Sequence, residues 1–298
     1  MLTLLADSPT LLVGVVFFFG LLVGSFLNVV IYREPIRLQN EWRDEAQRVL
    51  GQEPAPRAAF NLLRPASSCP ACKAQIRPWQ NIPLISWLLL GRRCGACKSP
   101  ISARYPLIEL LTAILSAVVA WRYGFSVACL AALVITWFLI ALSGIDYDTQ
   151  YLPDSLTLPL LWLGLLASLI AAAGPLPATQ TALLVSPDKA ILGAVAGYLS
   201  LWTVYWIFKL ATGKEGMGYG DFKLLAALCA WMGPAMLLPI VLLSAGVGSV
   251  VGIAMILLLG RDKQLPIPFG PYLAAAGWIS MIWGPELVRA WSQFVLRT

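Results

Sequence analysis

Histidine is absent from the 298 residues of this chain. Without histidine, no Ser-His or Cys-His catalytic pair and no histidine-ligated metal can form. Acid–base chemistry must therefore come from Asp, Glu, Lys, Tyr or Cys.

Charged residues are scarce as well: 12% of the residues are charged and 59% are hydrophobic, whereas soluble domains average about 25% charged. The composition excludes a soluble globular protein.

Apolar runs long enough to cross a bilayer recur along the chain, since a helical span needs roughly 17–25 residues. Six such runs are Leu11–Tyr32, Tyr105–Trp121, Phe125–Ile145, Leu156–Ala173, Ala190–Phe208 and Ile267–Trp283. A longer run, Leu224–Gly260, would measure roughly 55 Å as one helix, so we expect Gly233-Pro234 to divide it into two spans. The sequence predicts an all-α polytopic membrane protein with about eight transmembrane helices.

The basic residues indicate an orientation. If the N-terminus lies outside, 17 of the 21 Lys and Arg fall on the inner side, 12 of them within Arg33–Arg104. The positive-inside rule places that side in the cytoplasm. The net charge of +6 is therefore mainly a topology signal, and nucleic acid is only a minor alternative partner for this segment. We expect three parts: residues 1–32, the first span; 33–104, a cytoplasmic segment; and 105–298, a membrane-embedded bundle.

Four of the six cysteines form two C-x-x-C pairs, Cys69-Pro-Ala-Cys72 and Cys94-Gly-Ala-Cys97. Together they offer four thiolates, a ligand set that zinc accepts in tetrahedral sites. A reducing cytoplasm disfavours disulfides, and no thioredoxin-like pattern surrounds the pairs; an iron–sulfur cluster and empty thiols are the alternatives. Four protein ligands leave no open position for substrate. We therefore expect a structural Zn²⁺ that does not catalyse, and an apolar stretch between the pairs, Ile82–Leu90, that lies at the membrane interface or against the bundle.

Aspartates at the ends of spans are candidates for chemistry, because acidic residues are costly at membrane depth. The third span ends in Ile145-Asp146-Tyr147-Asp148, with Asp154 soon after, and the fifth leads through glycines 216, 218 and 220 to Asp221. Both spans run inward in the expected topology, so the two clusters reach the same face. Two neighbouring carboxylates share a proton, so that one can activate a water while the other hydrogen-bonds a scissile carbonyl. Such a dyad hydrolyses peptides without histidine, and the glycines leave room for an extended substrate.

Other interpretations of the aspartates remain open on the residues alone. Each can be a solvated helix-end group, and Asp221 can be the N-cap of the sixth span. A proton- or cation-coupled transporter can use Asp146, Asp148 and Asp221, but it favours carboxylates near the bilayer midplane and gives the cysteines no role. A membrane scaffold predicts that the aspartates tolerate substitution by Asn.

Several motifs occur together in one order: Gly24-Ser25-Phe26-Leu27-Asn28, the two C-x-x-C pairs, Arg104-Tyr105-Pro106-Leu107-Ile108-Glu109, Ile145-Asp146-x-Asp148 with Leu152-Pro153-Asp154, and Gly218-Tyr219-Gly220-Asp221-Phe222-Lys223. In this combination the sequence resembles the type IV prepilin peptidases, bifunctional prepilin leader peptidase/N-methyltransferases of bacterial inner membranes. The Gly-x-Gly-Asp motif is shared with other membrane aspartyl proteases.

The resemblance implies an activity and a set of roles. The enzyme would cut the basic leader from type IV prepilins and type II secretion pseudopilins at the cytoplasmic face of the inner membrane. It would then methylate the new N-terminus from S-adenosylmethionine. By position the catalytic aspartates are Asp146 and Asp221, with Asp148 and Asp154 as rivals for the first role. The zinc ligands are Cys69, Cys72, Cys94 and Cys97.

Two further expectations concern binding groups. No G-x-G-x-x-G follows a strand pattern, so an ordinary nucleotide-type domain is not expected and no residue is assigned to S-adenosylmethionine. Residues 33–104 are the natural candidate for that site because they form the one sizeable water-facing segment. Glu109 is expected to pair with an arginine or to bind the leader, with a structural role preferred. Besides its substrates, the chain should contact membrane lipid.

Overall fold

The computed structural model describes residues 2–54, 56–174, 177, 180–259 and 268–295. Its helices are α1 (Leu2–Asp7), α2 (Pro9–Val49), α3 (Ile85–Leu89), α4 (Arg104–Tyr123), α5 (Val127–Thr149), α6 (Asp154–Ala172), α7 (Pro187–Thr212), α8 (Tyr219–Met232), α9 (Leu237–Leu259) and α10 (Gly270–Val295). These described residues hold two isolated β-bridges and no strand. The predicted all-helical class is confirmed.

Six helices of the described chain are long and apolar enough to cross a membrane: Pro9–Val49, Arg104–Tyr123, Val127–Thr149, Asp154–Ala172, Pro187–Thr212 and Pro234–Leu258. The expected count of eight is not confirmed. The helix α8 has 14 residues, about 21 Å at 1.5 Å per residue, which is shorter than a bilayer core of about 30 Å. Part of the last expected span lies outside the described residues, as do Arg261 and Lys263, two of the 17 basic residues counted on the inner side.

The expected break at Gly233-Pro234 is confirmed. The helix α8 ends at Met232, Gly233 has a φ of 79°, and a short 3₁₀ turn over Pro234–Met236 leads into α9. Proline lacks the N–H that the helix would need, and the positive φ suits glycine. The long apolar run therefore becomes a short helix and a long one.

The chain divides into two compact units, Met1–Trp121 and Arg122–Thr298. In the first unit, α2 packs closely on α4 through two glycines. A Cβ on Gly20 would lie 2.8 Å from the Cα of Ala113, and one on Gly24 would lie 2.7 Å from the Cα of Glu109. The side-chain amide of Asn28 donates to the carbonyl of Tyr105 at 3.1 Å. Glycines 20 and 24 are therefore needed because the two backbones touch.

The helix α2 also continues well past the apolar run with which it begins. Its 41 residues measure about 60 Å. Beyond the apolar part, the buried Arg33 donates to the carbonyl of Asn61 at 3.0 Å, and Arg37 pairs with the buried Glu34 at 2.6 Å. These partners satisfy the charges that the first unit buries.

The second unit is organised around α8, which is buried continuously from Leu224 to Met232. The helix α7 packs closely on α8 through two glycines. A Cβ on Gly193 would lie 2.2 Å from the carbonyl oxygen of Cys229, and one on Gly197 would lie 2.9 Å from that of Leu225. By contrast, a Cβ on Gly248 of α9 would meet Tyr272 at an ordinary 3.5 Å.

Polar contacts join the other helices of the second unit to one another. The Trp231 indole of α8 donates to the carbonyl of Leu160 in α6 at 2.9 Å, and the Trp278 indole of α10 donates to the hydroxyl of Thr136 in α5 at 3.1 Å. Buried indole N–H groups require such partners. One contact therefore links α6 to α8, and the other links α5 to α10.

Candidate active site and metal centre

Asp146 lies in the last turn of α5 and is only 5% exposed. Its Oδ2 accepts a hydrogen bond of 2.9 Å from the backbone N–H of Gly270, the first residue of α10. A buried carboxylate needs donors of this kind. Sequence reasoning missed this contact, because a backbone donor leaves no mark in the amino-acid pattern.

Asp221 lies in the first turn of α8 and is 7% exposed. The N-cap of α8 is Gly218, so the alternative interpretation of Asp221 as the N-cap is wrong. The backbone N–H of Asp221 donates to the carbonyl of Gly218 at 3.2 Å, and Oδ2 of Asp221 lies 4.0 Å from the place that a Cβ on Gly218 would take. The carboxylate therefore lies in the first turn of the helix, close to its N-cap.

The two aspartates, far apart in the chain, lie near one another in the second unit. Both side chains are buried, and Leu152, in the connection after α5, contacts a neighbour of each. Leu152 is the nearest neighbour of a Cβ on Gly220, which precedes Asp221, at 2.7 Å, and it lies 3.2 Å from one on Gly270, which donates to Asp146. Two shielded carboxylates placed close together can share one proton.

The rival acidic residues have other surroundings. Asp148 is exposed. Asp154, the first residue of α6, is 49% exposed at its side chain, and both its oxygens accept from the ammonium of Lys223, at 2.6 and 2.7 Å. This ion pair joins the starts of α6 and α8. Neither rival shares the buried environment of Asp146.

The glycines before Asp221 have three different neighbours. A Cβ on Gly216 would lie 2.9 Å from the ring of Phe208, and the space beside Gly220 is filled by Leu152. A Cβ on Gly218 would meet nothing closer than 3.9 Å, with Oδ2 of Asp221 at 4.0 Å. Of the three, Gly218 is the one where a side chain would make only ordinary contacts, one of them with the carboxylate.

The two C-x-x-C turns have the same backbone geometry. In the first, the N–H of Cys69 donates to the carbonyl of Ala74, and the N–H of Lys73 donates to that of Cys69; the second repeats this pattern from Cys94 to Ser99 and from Lys98 to Cys94. Lys73 and Lys98 have φ values of 59° and 61°, in the left-handed region that few residues other than glycine adopt. Two matching turns therefore present two thiols each.

The four thiols form one cluster. The sulfur atoms of Cys69, Cys72, Cys94 and Cys97 all lie within 4.8 Å of one another, and those of Cys69 and Cys97 are 3.8 Å apart. A tetrahedral zinc with Zn–S bonds of about 2.3 Å separates its sulfurs by about 3.8 Å. Hydrogen bonds from the N–H groups of Cys72 and Ala71 lower the pKa of Cys69 to about 6, which favours the thiolate that binds metal. The cluster can hold a metal ion.

The stretch between the cysteine pairs contains a 3₁₀ turn, Pro78–Asn81, and the short helix α3. The side chains of Ile85, Leu88 and Leu89 are exposed, so this stretch can still lie at the membrane interface, as the sequence predicts. Oε2 of the buried Glu109 accepts the N–H of Leu84 at 2.8 Å. The partner of Glu109 found here is therefore the backbone before α3, which agrees with the structural role.

Fold and site together define a multi-pass, all-helical membrane protein with a cysteine cluster that can hold a metal ion and two buried aspartates. Residues 18–123 match the model of the bacterial Peptidase A24 N-terminal domain, and residues 133–253 match the type IV leader peptidase family. The chain belongs to the type IV leader peptidase family. No solved structure matches it.

Curated relatives cover nearly the whole chain. It is 52% identical to the prepilin leader peptidase/N-methyltransferase of Pseudomonas aeruginosa, across 99% of this chain and 98% of the relative. It is 53% identical to the protein of the same name from Stutzerimonas stutzeri, across 97% of each, and 51% identical to that from Aeromonas hydrophila, also across 97% of each. The family resemblance found in the motifs is confirmed.

Proposed function

We propose that this chain is a prepilin leader peptidase and N-methyltransferase whose peptidase centre is the pair Asp146 and Asp221. The observation that carries the proposal is the burial of these two carboxylates in one unit, on residues whose neighbours Gly220 and Gly270 both contact Leu152, although α5 and α8 are separated in the chain by α6 and α7. The full-length relatives named for both activities support the same conclusion.

The pair supplies the parts that peptide hydrolysis needs. The ionised carboxylate takes a proton from a water molecule, which attacks the scissile carbonyl, while the protonated carboxyl donates a hydrogen bond to the carbonyl oxygen. When the tetrahedral intermediate collapses, the carboxyl that took the proton from the water passes that proton to the departing amine. Gly218, where a Cβ would meet nothing closer than 3.9 Å, is uncrowded enough for an extended chain to approach Asp221.

The position of the pair favours a peptidase over a transporter. Asp146 is three residues from the end of α5, and Asp221 is two residues from the start of α8. Coupling carboxylates in transporters typically lie near the bilayer midplane. We infer that the pair and the cysteine segment face the cytoplasm, where basic leaders of prepilins and pseudopilins would be presented. The positive-inside rule supports this orientation.

We infer that the metal is Zn²⁺, held by Cys69, Cys72, Cys94 and Cys97. Their spacing fits a tetrahedral four-thiolate site. When bound, zinc would cross-link the two turns, and with four protein ligands it would have no open position for substrate. The chemistry of cleavage therefore belongs to the aspartates.

Methyl transfer to the new N-terminus, with S-adenosylmethionine as the donor, rests on the names of the relatives. The part of the chain that the structure describes contains no strand and hence no dinucleotide-type fold. No residue is assigned to the methyl donor.

One experiment tests both activities. The purified full chain is incubated with a prepilin in detergent, with and without S-adenosylmethionine, and the new N-terminus is analysed by mass spectrometry. We expect a shortened pilin in both reactions and one added methyl group only when the donor is present. An uncut prepilin would refute the peptidase proposal, and a shortened but unmethylated pilin would refute the methyltransferase proposal.

A further inference from the structure

The start of α10 contributes a group to the aspartate pair. The backbone N–H of Gly270 donates to Oδ2 of Asp146 at 2.9 Å, across 124 residues of chain. Both residues are buried. A donor fixed in the backbone holds a carboxylate in one direction, because it cannot rotate away as a side-chain donor can.

Gly270 also provides the room that the carboxylate occupies. A Cβ at this position would lie 2.7 Å from Oδ2 of Asp146 and 3.1 Å from its Cγ. The next atom, Cδ2 of Leu152, would be 3.2 Å away. Gly270 is not among the residues with a positive φ. Glycine is therefore required here by the nearby carboxylate and not by the backbone conformation.

The helix α10 cannot simply move back to accommodate a larger residue. Two turns further along, the Trp278 indole is bonded to Thr136 of α5 at 3.1 Å. Further along α10, the hydroxyl of Tyr123 donates a hydrogen bond to the carbonyl of Met281. The Nε–H of Arg122 donates to the carbonyl of Ile282 at 2.8 Å. Crowding at Gly270 must therefore be relieved by moving the side chain of Asp146.

We propose that Gly270 is a positioning residue for leader cleavage: its N–H and its missing side chain hold the Asp146 carboxylate in the orientation that cleavage requires. This inference rests on the proposed function. It assigns to α10 a part in the reaction that the residues of the Gly-x-Gly-Asp motif do not supply.

The kinetic test is Gly270→Ala in the purified full chain, assayed for prepilin cleavage. We expect kcat to fall about 100-fold, as displacements of about 1 Å at a reacting group do, with KM changed less than about twofold. Gly277→Ala is the matched control in the same helix, because the three atoms nearest to its Cβ all belong to the side chain of Leu228, the first at 2.6 Å. We expect Gly277→Ala to keep kcat within about threefold. Unchanged kcat in Gly270→Ala, or an equal loss in both variants, would overturn the inference.

A stability measurement tests the contact without any assay of activity. Gly270→Ala should lower the Tm by roughly 3–10 °C in the parent chain, and by much less in an Asp146→Ala background, because the smaller side chain leaves space for the new methyl group. Equal losses in the two backgrounds would show that the contact with Asp146 is irrelevant.

The comparison with the Asp146→Ala background remains decisive if Gly270→Ala folds poorly. If Gly270→Ala alone does not accumulate, the double variant with Asp146→Ala should, and failure of both would count against the inference. A parent chain that leaves prepilin uncut would instead refute the proposed function, while the Tm comparison would still decide the role of Gly270.

Discussion

The cysteine cluster is built from two similar turns in one short segment, whereas the aspartate pair is built from the ends of helices that are distant in the chain. Each cysteine turn closes through its own backbone hydrogen bonds. Asp146 and Asp221 meet only because α5, α8 and α10 pack together. The first site thus depends on local geometry and metal, and the second depends on the packing of the helical bundle.

The largest expected effect is a loss of cleavage without a loss of metal, which would show that the aspartate pair and the cysteine cluster have separate roles. Asp221→Asn should reduce prepilin cleavage by about 10³-fold or more, because an amide cannot exchange the proton that the pair shares. The zinc content should stay at the parent value. Asp188→Asn is the matched control, since Asp188 is also in the first turn of a helix but is exposed. Cleavage by Asp221→Asn near the parent rate would refute the role of the pair.

The second effect concerns the metal. Cys69→Ser should reduce the zinc content, measured by elemental analysis, from about one ion per chain to well below half, because a hydroxyl is a poor ligand for this site. Cleavage should fall less than in Asp221→Asn, since the metal has no open position. Cys129→Ala, which changes a cysteine buried within α5, should retain zinc. Full occupancy in Cys69→Ser would exclude the four-thiolate site.

The third effect concerns the packing of α7 on α8, the helix that carries Asp221. Gly193→Ala places a methyl group 2.2 Å from the carbonyl oxygen of Cys229 and should lower the free energy of unfolding by about 1–3 kcal/mol. Gly246→Ala, where a Cβ would meet nothing within 4 Å, should change it by less than about 0.5 kcal/mol. Denaturant titration in detergent measures both values. Equal stability of the two variants would contradict the packing of α7 on α8.

The smallest effect concerns the ion pair that flanks the aspartates. Lys223→Met should reduce kcat for cleavage by less than about tenfold, because a partly exposed pair contributes about 1 kcal/mol or less. Adding Asp154→Asn should cause little further loss if the two side chains act through each other. A loss as large as that of Asp221→Asn would mean that Lys223 acts on the substrate directly.

The sequence predicted the cysteine site well because its geometry is local. The spacing within each C-x-x-C pair already determines that two thiols share a turn, and the matching turns around Cys69 and Cys94 follow from it. The left-handed conformations of Lys73 and Lys98 could not be foreseen, because lysine is not typical of that region.

The aspartate site could be predicted only in part. Residues 146 and 148 differ by about 200° around a helix, so burial of one implies exposure of the other, but their order gives no sign of which one is buried. The packing of α5 in the second unit buries Asp146 and exposes Asp148. The role of Gly270 was hidden because its donor is backbone. The span count is not confirmed at α8, where apolar composition does not reveal that the helix is short and enclosed by protein.

The most direct test of the central claim compares four single variants, Asp146→Asn, Asp148→Asn, Asp154→Asn and Asp221→Asn, in one prepilin cleavage assay read by mass spectrometry. The two buried carboxylates should be indispensable, so Asp146→Asn and Asp221→Asn should leave the prepilin intact while Asp148→Asn and Asp154→Asn still release the leader. Efficient cleavage by Asp146→Asn together with loss of cleavage in Asp148→Asn would contradict the account.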